Sequence, residues 1–121
     1  MVKTNFWLDK FVFLGEIFMV VIVELNIIPL GVGTSVGKFL VSALEEMEKM
    51  NVKHQITPMC TIFEAKNIEE AFRIVKIVHE AIFRIGVKRV ITTVRVDDRR
   101  DVDRGMKEKL ESLKETLKSK P

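Results

Sequence analysis

The stretch Val20–Lys38, VVIVELNIIPLGVGTSVGK, constrains the fold more than any other, because an alternating strand runs directly into a Pro/Gly turn and then a helix start. Strand side chains repeat every two residues, so Val21, Val23, Leu25 and Ile27 share one face while Ile22, Glu24, Asn26 and Ile28 share the other. A Glu in mid-strand requires water, a partner or a ligand. Pro29 has no N–H to give to a sheet ladder, and Gly31 and Gly33 accept backbone angles that other residues resist, so the strand ends there. Thr34 or Ser35 is then placed to cap the following helix.

Beyond this point the periodicity changes with each element. Val36, Leu40, Ala43, Leu44, Met47 and Met50 carry the three-and-four spacing of an amphipathic helix, and Asn51 suits a left-handed cap. Val52–Thr57 alternates as a short strand, Thr61–Ala65 reads as another, and Pro58, Met59 and Cys60 form the corner between them. Asn67 with Glu70 three residues later marks a second helix start. The apolar line of that helix is Ala71, Val75, Val78, Ile82 and Ile85, and Gly86 ends it. Lys88–Asp97 is a fourth strand with Val90, Thr92, Val94 and Val96 on one side and Arg89, Ile91, Thr93, Arg95 and Asp97 on the other. After the DDRRD turn, Met106, Leu110, Leu113 and Leu117 make a narrow stripe on a highly charged last helix, for which Asp101 or Asp103 is the expected cap.

Strand, helix, strand, strand, helix, strand is the ferredoxin-like α+β plan. It has an antiparallel four-stranded sheet with helices on one face, extended here by a C-terminal helix. The first and last strands are central neighbours in that plan. Glu24, Asn26, Arg89, Thr93, Arg95 and Asp97 then cluster on the uncovered face, a half-polar surface suited to a subunit interface or a small polar ligand.

The chain divides into an extension, residues 1–18, and one domain, residues 19–121. Phe6, Trp7, Phe11, Leu14 and Phe18 are spaced for a helical stripe, whereas Met19 stands where a start codon directly before the strand would. Both readings stay open. Phe11–Ile28 has membrane-spanning length, but Glu16, Glu24 and Asn26 interrupt it, so no membrane association is expected. Asp9 and Glu16 likewise break any signal-peptide core.

A net charge of +3, with basic and acidic residues interleaved, lacks the electrostatic footprint of phosphate-backbone binding, so nucleic acid is not an expected partner. The single cysteine, Cys60, forms no internal disulfide and fits a reducing, cytoplasmic setting. GVGTSVGK fails as a phosphate loop, because Val32 stands where its first glycine belongs and Phe39 follows the lysine. The acids Asp97, Asp98, Asp101 and Asp103 lack calcium-loop spacing, and His54 and His79 have no ligand-spaced companions, so no metal is expected. No catalytic set can be assembled.

VELNIIPLGVGTSV, ITPMCTIFEA, the Val78-His79-Glu80 helix and KRVITTVRVDDRRD together resemble the thiamine-binding-protein-like family of small ferredoxin-like domains, the YkoF-like superfamily, over about Met19–Leu117. The resemblance implies a homodimer or homotetramer pairing through its sheets. It also implies thiamine or its hydroxymethyl-pyrimidine moiety as ligand, held without chemistry and with no cofactor required. The residues singled out as candidates for that site are Glu24, Asn26, Pro29, Gly31, Thr34, Ser35, Met59, Thr61, Glu64 and Arg95. An aminopyrimidine needs a carboxylate or amide for its ring edge, for which Glu24, Asn26 and Glu64 are candidates. It also needs an apolar wall, for which Phe63, Met59 and Ile91 are candidates. Cys60 stands where the family usually has glycine, and His54 where it typically has tyrosine. The competing expectation is a structural or regulatory oligomeric subunit whose open face serves assembly alone.

Overall fold

A computed structural model describes residues 20–120; the extension, with its Phe/Trp stripe and the position of Met19, lies outside the described residues. The elements are β1 (Val21–Leu30), α1 (Gly37–Lys49), β2 (His54–Ile56), β3 (Thr61–Ala65), α2 (Ile68–Arg84), β4 (Arg89–Asp97) and α3 (Met106–Lys118). The four strands form one antiparallel sheet in the order β2-β3-β1-β4, the ferredoxin-like arrangement.

The alternation in β1 decides which face is covered. Val21, Val23, Leu25 and Ile27 are buried with Phe63 and Ala65 of β3 against α1 and α2, which contribute Ala43, Met47, Ile74, Val78 and Ile82. The opposite face carries Ile22, Glu24, Asn26 and Ile28 beside Ile91, Thr93, Arg95 and Asp97 of β4, as the pairing Glu24↔Arg95 and Ile28↔Ile91 requires. Within α2 the buried line is Ala71, Ile74, Val75, Val78, Ala81 and Ile82, whereas Ile85 is exposed. Gly86, at φ 98°, ends the helix before Ile85 can turn inward.

The start of α2 is held by local side chains, that of α3 by a local and a distant one, and that of α1 by no side chain at its cap. Asn67 Oδ1 accepts the Glu70 N–H at 2.8 Å, and Glu70 Oε1 accepts the Lys66 N–H at 2.8 Å, one residue upstream of the usual reciprocal bond. Neither Thr34 nor Ser35 caps α1; Val36 occupies the cap position without a side-chain bond. Gly31 and Gly33, both at positive φ, carry the turn far enough that the two hydroxyl residues fall upstream of the helix's free N–H groups. Neither Asp101 nor Asp103 caps α3. The cap position is Gly105, whose N–H is accepted by Glu108 Oε1 at 3.0 Å, while Glu64 Oε2 reaches from β3 to accept the Met106 N–H at 2.6 Å. A Cβ at residue 105 would collide with that carboxylate oxygen, so glycine is what lets the strand residue close on the helix.

This anchor holds α3 at its first turn only. Exposure along its stripe rises from Met106, half-buried, through Leu110 (46%) and Leu113 (55%) to Leu117 (69%), so the helix leans progressively off the sheet.

Candidate functional site

Among the described residues two concavities beside β1 take in some of the candidate residues. The first is a groove of about 520 Å³ between the open sheet face and α3, floored by Ile22 and Ile62 and walled by Met106, Leu110 and Leu113. Its charged groups are paired. Arg95 Nε lies 3.2 Å from Glu24 Oε1, and Lys109 Nζ lies 2.6 Å from Asp97 Oδ2. With Arg95 mostly in solvent, its pair with Glu24 is a cross-strand contact worth about 0.2–1 kcal/mol. Glu64 is committed to the α3 cap and sits 3.9 Å from Lys53 Nζ.

The second is a cleft of about 250 Å³ that exists because two strands differ in length. β3 pairs with β1 only from Val21↔Ala65 to Leu25↔Thr61, whereas β4 follows β1 as far as Leu30↔Arg89. From Asn26 onward one edge of β1 therefore has no β3 neighbour, and every second residue there turns its backbone N–H and C=O toward the gap. Core-face residues Leu25 and Ile27 and open-face residues Asn26 and Ile28 all line the cleft, which a bare strand edge permits. Leu40, Leu44 and Met47 of α1 close one wall, and the corner from Ile56 to Thr61 closes the other.

That corner is held from within. Thr57 Oγ1 donates to the Cys60 carbonyl at 2.8 Å and accepts the Cys60 N–H at 3.0 Å, and the Thr57 N–H reaches the same carbonyl at 2.9 Å. The Thr57 hydroxyl is thereby occupied, while Met59 stands 81% exposed at the tip. Cys60 Sγ lies 3.8 Å from Glu24 Oε2, so the cleft's mouth and the open face meet at these two residues.

Asn26, Met59 and Thr61 thus come together in the cleft, and Glu24 and Arg95 together in the groove. Glu64 caps α3, Pro29 is buried in β1, and Gly31, Thr34 and Ser35 are exposed in the loop after β1, outside the lining of both concavities. Of the proposed apolar walls, Phe63 is fully buried in the core, and Ile91 lies on the open face opposite Ile28. Cys60, Leu40, Leu44 and Ile56 line the cleft without having been singled out for it; the signal was the Pro58 corner, which both ends β2 and faces α1.

The histidines are structural. His79 Nδ1 lies 2.6 Å from Thr92 Oγ1 and its ring is 5.2 Å from that of Phe83, pinning α2 to β4; His54 Nδ1 donates to the Val52 carbonyl at 2.8 Å. The DDRRD turn is closed by two forks: Arg99 to Asp101 at 2.6 and 3.0 Å, and Arg100 to Asp98 at 3.1 and 2.8 Å. Those hydrogen bonds hold the two carboxyls below, and the two guanidiniums above, their ordinary values. Among the described residues no group of three or more His, Cys, Asp or Glu side chains is arranged to hold a metal, and no helix is long and apolar enough to cross a membrane.

Residues 23–114 match the profile of the thiamine-binding-protein family. The chain belongs to that family. Among similar proteins, a UPF0045 protein of Methanothermobacter thermautotrophicus is 44% identical over 95 residues, covering 78% of this chain and 96% of the relative. A solved structure of a hypothetical protein from Methanocaldococcus jannaschii superimposes with a TM-score of 0.72 at 31% identity, covering 79% of this chain and 97% of that one. A Thermotoga maritima chain, provisionally named for thiamine biosynthesis or salvage, shares the fold with a TM-score of 0.66 at 19% identity, over 78% of this chain and 98% of that one. In this thiamine-binding-family chain the matched segment takes in the cleft and, apart from Ile22, the groove, since it runs from β1 into α3.

Proposed function

We infer that this protein binds thiamine or its hydroxymethyl-pyrimidine moiety without transforming it, in the cleft beside β1. The observation that carries this reading is the makeup of that cleft. An apolar box from α1 and the corner is joined to one amide, one hydroxyl and a bare strand edge, which is what a flat heterocycle needs to be walled and hydrogen-bonded. Membership of a family named for thiamine binding supports it, as does the provisional name of the Thermotoga maritima relative.

The protein acts as a homo-oligomer in the reducing cytoplasm, with the open face and α3 as the contact between copies. The half-exposed Ile28, Ile91, Leu110 and Leu113 favour this, because such apolar area is ordinarily covered. Isothermal titration with thiamine and with hydroxymethyl-pyrimidine tests the binding. Saturable heat with at least one, weakened about tenfold or more by Asn26→Ala, is expected; no heat from either at millimolar concentration contradicts it. Sedimentation of the same samples reads the assembly, and a stable oligomer with no ligand response favours a purely structural subunit.

A further inference from the structure

We propose that residues 1–18 fold back over the open sheet face and lay their apolar stripe into the groove under α3, closing it from within the same chain. This goes beyond ligand binding and does not rest on it. The groove calls for an occupant. Ile22 and Ile62 floor it, Leu110 and Leu113 wall it, and α3 is tied down near its start by the Glu64 bond to the Met106 N–H and by the Lys109–Asp97 pair. A helix with so narrow an apolar stripe draws its stability from packing, and the described residues leave Leu110, Leu113 and Leu117 open.

Position, spacing and tether point to the extension. Ile22 is the second residue of β1 and pairs with both Glu64 and Asp97, so the chain enters the sheet at the end where α3 begins. Upstream, Phe6, Trp7, Phe11 and Leu14 keep the three-and-four spacing of a helix face. At about 1.5 Å per residue, Phe6 to Leu14 as a helix spans about 12 Å and Leu110 to Leu117 about 10 Å, so the two stripes match in length. Gly15 is a natural helix stop, and residues 15–20 supply a connection within the usual range of about 2–6 residues.

The tether also decides between this segment and a second copy. A short linker holds the stripe at an effective concentration on the order of millimolar, above that of a second copy at ordinary protein concentrations. The extension lies outside the family match, residues 23–114, so this cover is an addition to the family domain. With the groove filled, the contact between copies proposed above falls on Ile28 and Ile91, which lie on the same face beyond the groove lining.

Trp7 reports on the docking, because the chain has one tryptophan and no tyrosine. In the full chain, Trp7 emission is expected at shorter wavelength than in denaturant, with acrylamide quenching about threefold weaker or less, as a buried indole requires. Leu113→Asp and Leu110→Asp, both at half-exposed positions, are expected to restore strong quenching while far-ultraviolet circular dichroism stays that of a folded domain. Phe72→Asp, at an exposed apolar position of α2 on the other layer, is expected to leave Trp7 buried. Trp7 quenched as strongly in the native chain as in denaturant overturns the proposal, as does burial that survives both groove variants or is lost in Phe72→Asp. Burial lost on dilution, or lost in Leu113→Asp together with a smaller sedimentation coefficient, assigns the groove to a second copy and likewise overturns it. All of these are read without ligand, so none bears on the binding function.

Discussion

Gly105→Ala is the substitution whose outcome follows most directly from the geometry. Gly105 has an ordinary φ of −94°, so no backbone strain opposes a side chain there. The obstacle is Glu64 Oε2, which a Cβ would strike and which belongs to a flexible carboxylate able to swing away. Swinging away breaks the 2.6 Å bond to the Met106 N–H, the bond that holds the first turn of α3 to β3. Hydrogen bonds to charged groups contribute about 1.5–3 kcal/mol, and loss of a helix cap costs about 0.5–2 kcal/mol. Against this, alanine restricts the unfolded chain and returns about 0.4–1 kcal/mol. The net expectation is a loss of about 1 kcal/mol, read as a fall of roughly 4–8 °C in melting temperature for a domain of this size. Amide exchange should localise it, with Met106–Lys109 losing protection before the β1–β4 ladder does. Wild-type melting together with unchanged protection in α3 would refute the Glu64 cap.

Other expectations are simpler to state. Asn67→Ala should cost about 1 kcal/mol in chemical denaturation, because its Oδ1 accepts the Glu70 N–H; an unchanged midpoint would contradict that cap. Phe63→Ala, at a fully buried site, should cost about 3–5 kcal/mol or prevent folding, whereas a ligand-contact role would leave stability intact and abolish binding instead. Glu24→Ala should leave ligand affinity within about threefold, since Glu24 lies outside the cleft lining, and a tenfold loss would move the site to the open face. In a carboxyl NMR titration, Asp98 and Asp101 should titrate below 3.8 and Glu108 below 4.5. Because these folded-state values are depressed, their stabilising contribution is present above the ordinary carboxylate range and is lost as pH falls through the lowered values; titration at ordinary values would show the forks and the cap to be open in solution.

What the sequence reveals and conceals follows from the range of each interaction. The two faces of β1 were legible because alternation is a property of consecutive residues, and Asn67 with Glu70 was legible because a capping bond spans three. The α3 cap was hidden because its acceptor, Glu64, lies 42 residues away and meets the helix only after β3 has been placed. The cleft was hidden for a related reason. It depends on β3 releasing β1 at Leu25, a matter of register, and neither strand states its partner's register. Glu24 drew attention as a charged residue in mid-strand, and its partner Arg95 was visible as a face-mate. Asn26, the residue beside it in importance, differs only in lying one alternation farther along, past the end of β3.

The central claim is that the bare edge of β1 beside Asn26 is where ligand binds, and backbone NMR of the protein titrated with hydroxymethyl-pyrimidine tests it most directly. Shifts concentrated at Asn26–Ile28, Met59–Thr61 and the facing residues Leu40 and Leu44 are predicted. Shifts confined to Glu24, Arg95 and α3, or none at saturating ligand, would contradict it.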